Sequence, residues 1–80
     1  MTYQTYQKIR KDTFLVPFLV KGDIFTDYKV LYPIYTQKRL QETRQYYLDK
    51  DKSYSILYMT IFITEKEIEK LFDRELEMYG

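Results

Sequence analysis

A chain of 80 residues and 9.9 kDa has room for one small domain, and none for a catalytic module beside a separate cofactor domain. Its 13 Lys and Arg against 12 Asp and Glu leave a formal charge of +1, which signals neither a whole-chain polyanion binder nor an acidic nucleic-acid mimic. With no Cys and no His, disulfide staples, Cys/His zinc sites, haem ligation through those residues, thiol nucleophiles and His-based triads are all excluded.

Residues 1–11 carry the tandem Thr2-Tyr3-Gln4 and Thr5-Tyr6-Gln7 and are read as an edge strand or a flexible arm. Lys8, Arg10 and Lys11 precede an apolar run over 14–20, but Pro17 interrupts it and no small-residue cleavage site follows, so it is not read as a secretory signal. From 13 to 32 the pattern is that of a β-hairpin. Phe14, Val16, Phe18 and Val20 share one face, Ile24, Thr26, Tyr28, Val30 and Tyr32 alternate on the return, and the turn is expected at Lys21-Gly22-Asp23. Pro17 lacks a backbone donor, which argues for an edge or a bulge and for one unpaired side of that first strand.

Pro33 marks a break. Residues 36–48 combine good helix formers at 37–42 with few apolar positions at helical spacing, Leu40, Tyr47 and Leu48. A strand ending at 45–48, joined through the loop 49–53 to a second strand at 54, is therefore favoured over a helix. Residues 54–63 are apolar on both alternations, which nominates them as the centre of the sheet. The longest apolar stretch, 56–63, is far short of the roughly 20 residues that a membrane helix needs. A helix is expected over 64–79. Thr64 and Glu67 form a capping box, Glu65, Glu67 and Glu69 meet the positive helix end, Ile68, Leu71, Phe72, Leu76 and Tyr79 make one stripe, and Gly80 ends the chain.

The hydrophobic fraction of 45% separates the chain from disordered sequences. The expected fold is α+β: a small antiparallel sheet of four strands, or five if the N-terminal segment joins, with a C-terminal amphipathic helix packed on one face. The whole of 1–80 is one domain.

Chemistry is thinly signalled. Asp49 with Asp51, and the series Glu65, Glu69 and Asp73, could in principle split acid and base roles or hold a hard cation. A solvated turn of alternating sign and the wet face of a helix account for them more simply. A catalytic Tyr beside Lys or Arg is no better supported, because ten tyrosines among so many cations meet by chance. The segment 21–28 keeps the basic residue, the Gly and two aromatics of the RNA-recognition octamer but lacks its third-position aromatic and its small fourth residue. It is read as a hairpin turn. The chain is therefore read as non-enzymatic, with no cofactor and no metal.

Charge is uneven: residues 1–63 hold 10 basic and 6 acidic side chains, whereas 64–80 hold 3 basic and 6 acidic. Within the basic part, Lys8, Arg10 and Lys11 lie near Tyr3 and Tyr6, and Lys38, Arg39 and Arg44 lie near Tyr46 and Tyr47. These ten residues are the candidate partner-binding set, because Tyr and Arg are enriched at interface hot spots. Ten tyrosines cannot all be interior in so small a domain, since each hydroxyl needs water or a partner. The expected function is docking of a protein partner through a Tyr/Arg/Lys-rich sheet face or edge. Single-stranded nucleic acid is the alternative, and a homodimer through an exposed strand edge is a further expectation. The absence of Ala and Asn beside ten Tyr suggests a viral or mobile-element origin, and with it a cytoplasmic modulator of a host factor.

Overall fold

The computed structural model describes residues 3–79; Met1 and Thr2 of the expected arm and Gly80 of the expected helix end lie outside them. The order of elements is β1 (Gln7–Arg10), β2 (Thr13–Asp23), β3 (Asp27–Pro33), α1 (Gln37–Thr43), a π-helical turn (Arg44–Leu48), β4 (Tyr54–Phe62) and α2 (Glu65–Tyr79). This is the expected α+β class, a four-stranded antiparallel sheet with a C-terminal helix. Two of its members differ from the reading. The segment 45–48 is helical, and the fourth strand is β1 instead.

The centre of the sheet is β2 and not the 54–63 segment. β4 runs antiparallel along β2 from Thr13↔Phe62 to Lys21↔Tyr54, while β1 and β3 share the other side of β2. β1 pairs as far as Leu15 and β3 begins at Phe18, so Pro17 sits in the gap between them. The Pro17 carbonyl faces that gap and accepts from Ile34 N–H at 2.9 Å, and a residue's N and C=O point to the same side of a strand. The missing donor of Pro17 thus leaves no ladder position vacant. This is why proline is tolerated in a central strand, and why the expected unpaired side does not exist.

β2 is also the strand covered on both faces. Val16 packs with Tyr6, Phe14, Tyr35 and Ile68, with Leu71 and Phe72 of α2 laid against them. Leu19, an odd number of residues further on and hence on the opposite face, packs with Ile34 and Leu40 under Tyr47 and Leu48. α1 and the π-helical turn therefore cover part of the face that was expected to be free.

The helix at 37–48 escaped the periodicity argument for a physical reason. Thr36 caps it, with Oγ1 accepting from Arg39 N–H at 3.2 Å, and its buried side is small, Leu40 and Thr43. The last turn then widens, with Asp49 N–H donating to the Arg44 carbonyl five residues back at 2.9 Å. Widening breaks the 3.6-residue repeat at Tyr46 and Tyr47, where the pattern was being read. α2, by contrast, begins as expected, with Glu67 N–H donating to Thr64 Oγ1 at 3.2 Å.

The β2–β3 hairpin is present, but its turn lies beyond the expected one. Asp23 closes it by accepting from Phe25 N–H on its side chain at 2.9 Å and from Thr26 N–H on its carbonyl at 3.2 Å. Gly22 is needed within the ladder: its φ is +115°, and a Cβ there would lie 2.6 Å from the Asp27 carbonyl oxygen. Gly22→Ala is expected to destabilise the fold by about 1–3 kcal/mol, read from the urea midpoint.

Tyr6 and Tyr35 are interior, and Tyr6 makes edge-on ring contacts with Phe14, Tyr35 and Phe72. Burial raises both phenols above the usual tyrosine value, aided by Glu69, Asp73 and Glu65 around Tyr6 and by Glu75 beside Tyr35. A raised value means that the folded state favours the protonated phenol. Their contribution is complete below about pH 10 and is lost as pH rises through the raised values. Alkaline titration should therefore show Tyr6 and Tyr35 ionising above the usual tyrosine value, together with loss of near-ultraviolet circular dichroism.

Candidate functional site

The apolar stripe of α2 contains a carboxylate. Glu75 lies at helical spacing between Phe72 and Tyr79 and is only 7% exposed. An uncompensated carboxylate at such a position would be expelled or protonated, so the structure must supply donors. It supplies the start of α1. Glu75 Oε1 accepts from Tyr35 N–H at 3.0 Å, Thr36 N–H at 2.8 Å and Thr36 Oγ1 at 2.8 Å, and Oε2 accepts from Tyr35 N–H at 3.2 Å. Arg39 Nε lies 3.8 Å from Oε2. The last turns of α2 are thereby tied to the N-terminal end of α1 by charge-assisted bonds.

Arg39 extends this link into an aromatic cluster. Its guanidinium carbon is 4.4 Å from the Tyr32 ring centroid and 3.9 Å from that of Tyr79. The Tyr32 hydroxyl in turn lies 3.2 Å from Thr43 Oγ1, joining β3 to α1. Around these groups the helical turn, α2 and β3 enclose a cleft of about 570 Å³, lined by Tyr32, Arg39, Glu42, Tyr46, Tyr47, Lys50 and Tyr79 among others. Tyr46 is 68% exposed at its rim, with its ring 5.2 Å from that of Tyr47 and 5.0 Å from Lys50 Nζ. Tyr47 leans the other way, 4.9 Å from Tyr54, so one ring faces the cleft mouth while its neighbour anchors the turn to β4.

Of the ten expected partner-binding residues, Arg39, Tyr46 and Tyr47 come together here. Lys38 and Arg44 are exposed on the same helical segment. Of the other group, Tyr3 reaches the start of α1, its carbonyl accepting from Gln37 N–H at 2.7 Å, whereas Lys8, Arg10 and Lys11 are exposed at β1 and its turn, where Lys8 Nζ lies 3.6 Å from Glu65 Oε1. Tyr3 is exposed at 67%, whereas Tyr6 is buried and presents no ring to a partner. Tyr6 is withdrawn because Phe14, Tyr35 and Phe72 close around it. Tyr32, Glu42, Lys50, Glu75 and Tyr79 were missed. For Glu75 a signal existed, an acid in the middle of an apolar helical stripe, and for Lys50 its closeness in the chain to Tyr46 and Tyr47; for Tyr32 none did, because its meeting with Arg39 is tertiary.

Of the acidic pair in the 49–53 loop, Asp51 is engaged locally. Asp51 Oδ1 accepts from Ser53 N–H at 2.9 Å and Ser53 Oγ at 2.8 Å, and these bonds hold its carboxyl below the usual range. Among the described residues no cluster of three or more acidic side chains converges to hold a metal ion, and no helix is long and apolar enough to cross a membrane. Comparison with models of known families, with characterised proteins and with solved structures returns no match.

Removing the Glu75 carboxylate leaves two backbone donors, a hydroxyl and Arg39 without their anion. Glu75→Ala should cost about 3 kcal/mol or more in urea unfolding. Glu75→Gln can keep the bonds to Oε1 while losing the charge, so its loss should be clearly smaller.

Proposed function

We propose that this chain is a non-enzymatic binding protein that docks a protein partner, with the tyrosine-lined cleft as its anchor. The observation that carries this reading is the convergence of Tyr32, Tyr46, Tyr47 and Tyr79 with Arg39 and Lys50 around one concavity. Tyr and Arg dominate interface hot spots because they offer large, rigid, amphipathic contact area with polar tips. Here the rings are held in advance: Tyr47 on Tyr54, and Tyr32 and Tyr79 on Arg39. Preordering of this kind lowers the entropy lost on association. A partner side chain that fills the cleft would meet ring faces, the Lys50 ammonium and the Glu42 carboxylate.

The location moves from the expected sheet face to the junction of the helical turn with α2, while the residue types stay those expected. Charge favours a protein over single-stranded nucleic acid. Arg39 is occupied by Glu75, the cleft is lined by Glu42 as well as Lys50, and the basic residues Lys8, Arg10 and Lys11 lie on a different element, β1 and its turn, which suits a phosphate backbone less than a mixed-charge protein surface. A cytoplasmic modulator of a host factor, encoded by a virus or mobile element, remains the biological setting proposed on composition alone.

Tyr46 tests the reading, because its exposure lets it be truncated with little effect on the fold. Affinity capture from source or host lysate, compared between the wild type and Tyr46→Ala, should lose a specific protein partner with the variant. Affinity for the partner so identified should fall about tenfold or more. Tyr28→Ala, on the distal hairpin, should leave capture unchanged. Equal capture by Tyr46→Ala overturns the cleft assignment. Oligonucleotide binding that collapses with rising salt and depends on Tyr46 would transfer it to nucleic acid.

A further inference from the structure

β1, β3 and β4 each pair only with β2, so each leaves one edge open. Exposed edges invite pairing with another chain, and natural sheets blunt them with short strands, charges or proline. β1 is four residues long and carries Lys8 and Arg10; β3 carries Asp27 and Lys29 and ends at Pro33. β4 has none of these protections. It is nine residues long, Tyr54–Phe62, with no charge, no proline and an unbroken register against β2.

The ladder determines which groups the β4 edge offers. Gly22 N–H donates to the Ser53 carbonyl at 2.8 Å and Ile63 N–H to the Asp12 carbonyl at 3.1 Å, at either end of one continuous register. Odd-numbered positions of β4 therefore bond to β2. Tyr58, opposite Pro17, is out of the ladder like its neighbours Ile56, Thr60 and Phe62, and these four turn their N–H and C=O outward. Tyr54 N–H is already given to the Asp51 carbonyl at 3.3 Å. The helices cover faces of β4 and not its outer edge: Ile61 and Ile63 join the cluster under α2, and Tyr54 and Ile56 join the one under the helical turn. Tyr58 is 47% exposed and Phe62 79% exposed.

We infer that β4 is a self-association edge, at which a second copy of this chain adds its own β4 antiparallel across a two-fold axis to make one continuous sheet. A second copy is the occupant because the strand is its own complement. Self-pairing at β1 would bring Lys8 and Arg10 against their own copies and at β3 is stopped by Pro33 at its end, whereas the neutral, proline-free β4 opposes no like charges to itself. The register that uses all four outward residues pairs Ile56 with Phe62 and Tyr58 with Thr60 across the axis. It places the exposed Phe62 ring against an aliphatic neighbour. A two-fold closes the contact and ends growth, since the edge is consumed. This inference is independent of the cleft, none of whose lining residues belongs to β4.

The test is sedimentation equilibrium of the full chain over a concentration series, with hydrogen exchange at β4. The wild type should show a reversible dimer, and the amides of Ile56, Tyr58, Thr60 and Phe62 should gain protection as concentration rises. Thr60→Lys brings like charges together near the axis, and Thr60→Pro removes an outward donor without touching the bonds to β2. Each should raise the dimer dissociation constant by about tenfold or more while circular dichroism is retained. Tyr46→Ala should leave it unchanged. A wild type that is monomeric throughout the series overturns the inference, even if it takes up a foreign strand, and so does a dimer that both Thr60 variants leave intact.

Discussion

The contact on which the arrangement of this domain depends is a carboxylate buried beside the first turn of a helix that is not its own. Glu75 accepts from two consecutive backbone N–H groups and a hydroxyl at the entry to α1, and Arg39 from the next turn stands behind it. Burying an ion is costly, and one partner alone does not offset it; three hydrogen-bond donors and a nearby cation do. The arrangement orders more than itself. Arg39 is held where Tyr32 and Tyr79 can lie on it, and those rings are two walls of the cleft. A network that joins β3, α1 and α2 thus serves structure and proposed recognition with the same atoms.

Around that network the sheet is organised by β2. Its residues 13–20 are buried or half-buried, covered on alternating faces by two different helical segments, and on one side its pairing is divided between two strands. The division makes room for Pro17, and the N-terminal segment uses the same opening. Thr5 N–H donates to the Tyr35 carbonyl at 3.1 Å and Thr5 Oγ1 to the Ile34 carbonyl at 2.6 Å, which seats Tyr6 in the core. Placing one proline-bearing strand in the middle leaves the uncharged strand at the rim. The same topology that satisfies Pro17 therefore exposes the backbone groups of β4.

The tyrosines divide according to what surrounds them, not according to their neighbours in the chain. Tyr46 and Tyr47 are adjacent, yet one is at the mouth of a cleft and the other is wedged against Tyr54. Tyr3 and Tyr6 sit in identical tripeptide contexts, yet one is at the surface and the other is interior. The wide last turn at 44–48 separates the first pair, and the closing of Phe14, Tyr35 and Phe72 around one ring separates the second. Side chains of the expected types do gather, but at a helix–helix junction and in company that linear proximity did not indicate.

What was legible in the chain was whatever short-range chemistry decides: the α+β class, the hairpin with its obligatory Gly22, and the C-terminal helix with its Thr64 cap and apolar stripe. Local periodicity and capping act within a few residues, so they are written in consecutive positions. Strand order, the helical state of 37–48, the burial of Glu75 and the meeting of Tyr32 with Tyr79 depend on pairings between distant segments. Such pairings are chosen by comparing whole arrangements. β2 and the 54–63 segment are both apolar on both faces, and only the gap left for Pro17 and the placement of two helices decided which of them lies inside.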